Sequence, residues 1–222
     1  MAKLILLRHG QSAWNKKNVF TGWVDIPLSA QGIQESTLAG KQIADTPVDV
    51  IYTSELARSQ MTAFLAMTEH FSGGVPCVMH KGGSFLEKWY SKGDDTEGLI
   101  PMYIAWQLNE RMYGDLQGKN KEEIAAEFGA DQVKLWRRSY RTAPPGGETL
   151  EDTAKRAIPF FSDAIVSDLA KGKNVLLCAH GNSLRAIVMS IEKLSEEAVL
   201  QLEIATGALR FYEYQEGVFT KV

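Results

Sequence analysis

Three short stretches of this chain are apolar without the in-and-out alternation of a half-exposed strand: Leu4 to Leu7, Val48 to Tyr52 (broken at Asp49) and Val175 to Ala179. A strand buried on both faces reads this way, and such strands belong to parallel sheets covered by helices. The second run leads through Thr53-Ser54 into a helical pattern beginning near Glu55. The third leads through His180-Gly181-Asn182-Ser183 into a helix-like stretch from Leu184 to Ile191. This alternation predicts an α/β fold, a three-layer α/β/α sandwich with a mostly parallel central sheet and right-handed crossovers. Near the end, Leu209 to Tyr214 and Val218 to Val222 flank Gln215-Glu216-Gly217 and predict a hairpin, hence an antiparallel edge strand. In this architecture ligands bind where strand carboxyl ends meet helix amino ends.

The 222 residues, 45% hydrophobic and 23% charged, suit one α/β domain spanning 1–222 with a substantial core, and no repeat or linker divides it. Leu150 to Leu169 predicts a long helix. Thr149 is its N-cap, Gly172 its terminator, and Ala154, Ile158, Phe161, Ile165 and Leu169 form its apolar stripe. Pro159 removes a backbone donor inside it and predicts a kink. The least regular part, 81–105, reads as a packed surface excursion. Its aromatic residues Trp89, Tyr90 and Tyr103, with Trp106 beyond, leave a lid or a subunit contact open as the other use.

A net charge of −3 supplies no general field for nucleic acid or acidic membrane, so an anion site has to be a local cluster of cations. Cys77 and Cys178 lack the spacing of a metal knuckle or redox pair, and Cys178 reads as core. The apolar amino end is too short for a signal peptide, no stretch is long enough to span a bilayer, and a cytoplasmic protein is expected.

Two of the buried-type strands end in His-Gly, at Arg8-His9-Gly10 and Ala179-His180-Gly181. In a parallel sheet both imidazoles project into one carboxyl-end crevice, and glycine after each leaves room for a ligand to approach the backbone. Either histidine alone could be an ordinary hydrogen-bonded core residue. The duplication argues otherwise, because packing has no reason to repeat it. Arg8 adjoins His9, and Arg58 falls in the first turn of the helix after Thr53-Ser54, where unpaired N–H groups and the helix dipole also favour an anion. Guanidinium forks match phosphate oxygens. Metal is the competing use of histidine, but His9, His70, His80 and His180 show no metal-ligand spacing. The residues therefore read as a metal-independent phosphate site, with imidazole as a nucleophile able to carry phosphoryl.

At these positions the chain resembles the cofactor-dependent phosphoglycerate mutases of the histidine phosphatase superfamily. The resemblance is carried by Leu7-Arg8-His9-Gly10-Gln11-Ser12-Ala13-Trp14-Asn15 with Phe20-Thr21-Gly22-Trp23, and by Leu108-Asn109-Glu110-Arg111-Met112-Tyr113-Gly114 with Leu116-Gln117-Gly118. Arg137-Arg138 and Ala179-His180-Gly181-Asn182-Ser183-Leu184-Arg185 complete it. It implies that His9 is phosphorylated during turnover, that His180 contacts the transferring group from the opposite side, and that Arg8, Arg58 and Asn15 hold phosphoryl oxygens. Glu110 is implied as acid and base for the substrate hydroxyl. Thr21, Gly22, Tyr113, Lys121, Arg137, Arg138, Gly181 and Asn182 are implied to line the substrate pocket. Without the resemblance, Arg137-Arg138 would read as a helix-surface doublet and Glu110 as a partner for Arg111.

The resemblance further implies interconversion of 3-phosphoglycerate and 2-phosphoglycerate, primed by 2,3-bisphosphoglycerate, with no metal. It leaves a homodimer open. A histidine phosphatase acting on small phosphorylated metabolites is the alternative on the same scaffold. Gln11 stands where the family usually has Glu and Ala205 where it usually has Pro. The Gly/Ala/Lys-rich tail of longer members does not follow Val222, which predicts a less covered pocket and some loss of phosphate to water.

Overall fold

The computed structural model describes residues 1–80, 86 and 98–222. Seven strands form one sheet in the order β3-β4-β2-β5-β1-β6-β7. They are β1 (Ala2–Arg8), β2 (Val50–Thr53), β3 (Val75–Val78), β4 (Leu99–Ile104), β5 (Val175–Ala179), β6 (Leu209–Gln215) and β7 (Val218–Lys221). The first five are mutually parallel, and β6 and β7 add antiparallel to the edge beside β1. The expected hairpin closes through Glu216 and Gly217, both at positive φ, the two-residue turn that matches strand twist.

Alternate side chains of the central strands enter opposite cores, which is why their sequences lack alternation. Leu4, Leu6, Val175 and Leu177 face a layer built from α6 (Leu150–Phe160), α7 (Val166–Ala170) and α8 (Gly181–Glu192), through residues such as Ala157, Leu169 and Ile187. Ile5, Leu7, Leu176 and Cys178 face α2 (Ala30–Gln42) and α3 (Ala57–Met67) through Ala39, Ile43, Ala63 and Met67. A third, smaller cluster of Phe20, Leu116, Ile124, Val133 and Trp136 seats α4 (Lys121–Phe128) and α5 (Ala130–Arg138) over the carboxyl end of the sheet. The short α1 (Ala13–Lys16) follows β1, and α9 (Glu196–Gln201) follows α8.

The long helix expected over Leu150 to Leu169 is divided. A π-turn at Phe161–Ile165 separates α6 from α7, directly after Pro159, whose missing N–H and ring interrupt the regular ladder. Thr149 caps it as expected, its hydroxyl accepting from Asp152 N–H at 2.9 Å.

The irregular excursion expected at 81–105 needs correction at its carboxyl side. Leu99–Ile104 is a sheet strand, paired with β3 on one side and β2 on the other. Pro101 falls just before the stretch Met102–Ile104 that pairs with β2, so its missing N–H does not interrupt that ladder. Trp89 and Tyr90 lie outside the described residues. Tyr103 packs on Tyr52 with ring centroids 5.4 Å apart, and Trp106 meets Trp23 at 6.3 Å. No helix among the described residues is long and apolar enough to cross a membrane.

Candidate active site

β1 and β5 are neighbours, with Arg8 in register with Ala179, so the histidines that follow emerge side by side. The rings of His9 and His180 lie 4.8 Å apart between centroids, tilted by 56°. His9 Nδ1 is 2.6 Å from the carbonyl oxygen of Gly10. A carbonyl only accepts, so Nδ1 carries the proton and Nε2 keeps its lone pair. Burial, then the charges of Arg58 and Arg8, hold His9 well below the usual imidazole range, and the Gly10 bond only partly opposes them. Burial, Arg58, His9 and Arg8 do the same to His180. Both rings are therefore neutral near pH 7, and His9 presents an unprotonated nitrogen.

A cavity of about 190 Å³ opens in front of His9. It is lined by Arg8, Asn15, Thr21, Gly22, Arg58, Glu110, Tyr113, Lys121, Arg137, Arg138, Gly181 and Asn182, so the residues singled out in the sequence converge on one place. His180 stands behind, fully buried and in contact with the His9 ring. Among the described residues, the buried side-chain nitrogens and oxygens with no partner are Arg8 Nε, Thr21 Oγ1, Arg111 Nε and His180 Nδ1. Buried polar atoms are ordinarily satisfied, and three of these four belong to residues that the resemblance placed at the phosphoryl group (Arg8, His180) or in the substrate pocket (Thr21).

Arg58 is almost fully buried. Its guanidinium donates to the carbonyls of Gly22 at 2.7 Å and Val24 at 3.1 Å, which fixes its head against the cavity. Burial lowers it to about 10, with Glu110 and Asp25 opposing, so it remains a cation at neutral pH. At the amino end of α3, expected to offer free N–H groups, the N–H of Ala57 and those of the two residues before it are already taken. Glu55 N–H donates to Asn109, Leu56 N–H to Ser54 and Ala57 N–H to the Asp25 carboxylate. Asn109 and Asp25 reach in from distant loops, which spacing along one segment cannot reveal.

Glu110 sits in a loop that is held from several directions. Arg156 forms a bidentate pair with Glu148, at 2.9 and 2.8 Å, and donates to the carbonyls of Gln107, Asn109 and Glu110. The Trp23 indole N–H also reaches the Glu110 carbonyl at 2.5 Å. The Glu110 carboxylate accepts from Arg111 N–H at 2.7 Å rather than from the Arg111 guanidinium, which goes to Tyr113 and the Arg137 carbonyl. Burial raises the Glu110 pKa. The Arg111 N–H, the Arg8 charge, the Asn182 amide and the Arg58 charge outweigh it and hold the group below the ordinary carboxylate range. Glu110 is a carboxylate, hence a base, at neutral pH.

The glycines after the two histidines do different work. A Cβ on Gly10 would lie 2.3 Å from the carbonyl oxygen of Gly32, so Gly10 serves close packing against α2 and not ligand approach, contrary to expectation. A Cβ on Gly181 would meet Arg8 at 3.5 Å and Glu110 at 3.7 Å, inside the cavity. Only at Gly181 does the missing side chain leave room at the site.

The sequence model of the histidine phosphatase superfamily (branch 1) matches residues 4–81 and 94–222. The chain belongs to the histidine phosphatase superfamily. Within it, a protein of Chlamydia caviae named 2,3-bisphosphoglycerate-dependent phosphoglycerate mutase is 58% identical over 223 residues, covering 100% of this chain and 97% of that protein. A protein of the same name from Protochlamydia amoebophila is 52% identical over 223 residues, covering 100% and 99%. Among solved structures, Bacillus stearothermophilus YhfR superposes with a TM-score of 0.77 at 23% identity, covering 100% of this chain and 95% of that one. A mycobacterial glucosyl-3-phosphoglycerate phosphatase with bound VO3 gives 0.77 at 23%, covering 100% and 98%. These two share the superfamily's fold.

The sequence reading of this superfamily member missed several groups. Arg185, Val19, Phe20 and Ile204 also line the cavity. Arg8, Arg138 and Arg185 grip three consecutive residues at its rim, through Ile204 O at 2.6 Å, the Glu203 carboxylate at 2.7 Å and Leu202 O at 2.7 Å. Arg185 was visible in its motif but carried no assigned role. Arg156 lies on a helix whose apolar stripe drew the reading away from its other face, and Ser54 carried no charge to draw attention. Among the described residues, no group of three or more His, Cys, Asp or Glu side chains could hold a metal ion.

Proposed function

We propose that this chain is a 2,3-bisphosphoglycerate-dependent phosphoglycerate mutase, interconverting 3-phosphoglycerate and 2-phosphoglycerate through a phosphoryl group carried on His9. The observation that carries the reading is the His9 imidazole. Its proton is tied to Gly10 O, its other nitrogen keeps a lone pair, and it stands beside His180, whose Nδ1 is buried without a partner. The relatives that share more than half of their residues with this chain bear the same name.

The cavity suits a small polyanion. Six cationic side chains, Arg8, Arg58, Lys121, Arg137, Arg138 and Arg185, line it against the single carboxylate of Glu110. Bound 2,3-bisphosphoglycerate supplies the phosphoryl group that His9 carries. Arg8, Arg58 and Asn15 hold the phosphoryl oxygens, while Lys121, Arg137, Arg138 and Arg185 hold the substrate's distal anionic groups. As the phosphoryl group passes from His9 to a substrate hydroxyl, an N–P bond breaks and an O–P bond forms, and the Glu110 carboxylate takes the hydroxyl proton. In the return transfer the O–P bond breaks, the N–P bond re-forms and Glu110 gives the proton back. Fixed donors around the moving charge supply most of the acceleration, each worth roughly a hundred- to a thousand-fold in rate. The activity belongs to glycolysis and gluconeogenesis in the cytoplasm.

The test is product analysis by ³¹P NMR. 3-Phosphoglycerate with a trace of 2,3-bisphosphoglycerate should yield 2-phosphoglycerate, and ³²P from the primer should label the wild type but not His9→Ala. Inorganic phosphate as the main product would replace the mutase reading with a phosphatase on the same scaffold. Label retained by His9→Ala would remove His9 as the carrier.

A further inference from the structure

His180 has one nitrogen without a partner and one with a partner that no role yet explains. Nδ1 is buried and unpaired, while Nε2 lies 2.7 Å from Ser54 Oγ. Ser54 Oγ is in turn 2.6 Å from Ser59 Oγ, and the Thr53 hydroxyl donates to Ser59 at 2.9 Å. All four residues are fully buried. The Ser54 oxygen also accepts from Leu56 N–H at 3.1 Å, which fixes its position.

The proton count leaves two arrangements. A neutral imidazole carries one proton, and a serine hydroxyl donates one. If Ser54 donates to Nε2, its short contact with Ser59 requires Ser59 to donate to it, with Thr53 donating to Ser59 behind. The chain then runs Thr53 to Ser59 to Ser54 to His180, and the imidazole proton sits on Nδ1. In the reverse arrangement Nε2–H donates to Ser54, Ser54 to Ser59, and Ser59 to Leu56 O at 2.9 Å, leaving a bare lone pair on Nδ1. A phosphoryl group offers only acceptors, so a lone pair on Nδ1 repels it and an N–H binds it.

We infer that Ser54, backed by Ser59 and Thr53, is a positioning residue that donates to His180 Nε2 and so keeps the proton on Nδ1, where it is available to the phosphoryl group beside His9. The inference deepens the phosphoryl-transfer reading and rests on it. It gives the serine after β2 a task that a helix-capping role does not require.

The decisive measurement is the tautomer of His180 by ¹⁵N NMR in the full-length protein with orthovanadate bound, which needs no turnover. The wild type and Ser59→Ala should both show Nδ1–H with Nε2 as acceptor. Ser54→Ala should lose that preference and, in the mutase assay, lower kcat roughly 10- to 100-fold, short of deleting a donor outright, with KM for 3-phosphoglycerate within about two-fold. Ser54→Thr, which keeps the hydroxyl, should recover most of the rate. An Nε2–H tautomer in the wild type, or an unchanged tautomer in Ser54→Ala, would overturn the inference while leaving the mutase reading intact. Formation of inorganic phosphate in place of 2-phosphoglycerate would overturn the mutase reading without touching the tautomer result.

Discussion

Asn182 donates twice to one oxygen of Glu110, from its backbone N–H at 3.1 Å and from its side-chain amide at 2.9 Å. The first helical turn after His180 thus holds the carboxylate proposed to handle the substrate proton, and couples the two halves of the site through a single residue.

Replacing Asn182 with Ala removes the side-chain bond to the charged form of Glu110 but keeps the backbone bond. Because the amide helps hold the Glu110 pKa down, its loss should raise it, and the acid limb of the pH–rate profile should move up by about one pH unit. An acid limb that does not move would separate Glu110 from the proton transfer.

His9 and His180 are buried with pKa values well below the ordinary range. In the unfolded chain they titrate near about 6.5, so between that value and their folded values the unfolded state binds more protons than the folded one. Stability from these groups is complete above about 6.5 and falls with pH below it, by about 1.4 kcal/mol per pH unit for each imidazole. Urea unfolding at pH 7.5 and 5.5 should show a larger loss in the wild type than in a His9→Gln, His180→Gln double variant. Equal losses would mean the two rings are not buried neutral.

Breaking the Arg156–Glu148 pair should act on stability and on rate together. The pair is largely shielded from water, with side chains 7% and 17% exposed, and Arg156→Gln leaves Glu148 charged without its partner. The expected cost is about 3–5 kcal/mol by denaturant titration. Because Arg156 also holds the carbonyls of Asn109 and Glu110, kcat should fall even where the variant is fully folded.

Gly10→Ala and Gly181→Ala should separate packing from site space. At Gly10 the new methyl meets α2 backbone, so the variant should unfold more easily with little room to adjust. At Gly181 the contacts are ordinary, so the fold should persist while the methyl occupies the cavity between Arg8 and Glu110 and raises KM. Thermal melts and steady-state kinetics on the two variants test the contrast. A destabilised Gly181→Ala with unchanged KM would contradict it.

Apolar runs without in-and-out alternation determined the central strands β1, β2 and β5, because a strand covered on both faces has no solvent side to mark with polar residues. The same runs located both histidines, since Leu4–Leu7 leads into Arg8-His9 and Val175–Ala179 leads into His180. β4 was not legible, because Pro101 breaks the pattern and its two partner strands lie far away along the chain. Only the tertiary structure decided that β1 and β5 are adjacent, which turns two separate His-Gly steps into one pair of rings. It also decided that Gly10 packs against a helix while Gly181 opens the cavity, and that Asp25 takes the N–H of Ala57 at the start of α3. The task inferred for Ser54 depends on placement of the same kind. A sequence lists which groups can donate or accept. Which of them meet depends on distances across the sheet, and those exist only once the layers have packed.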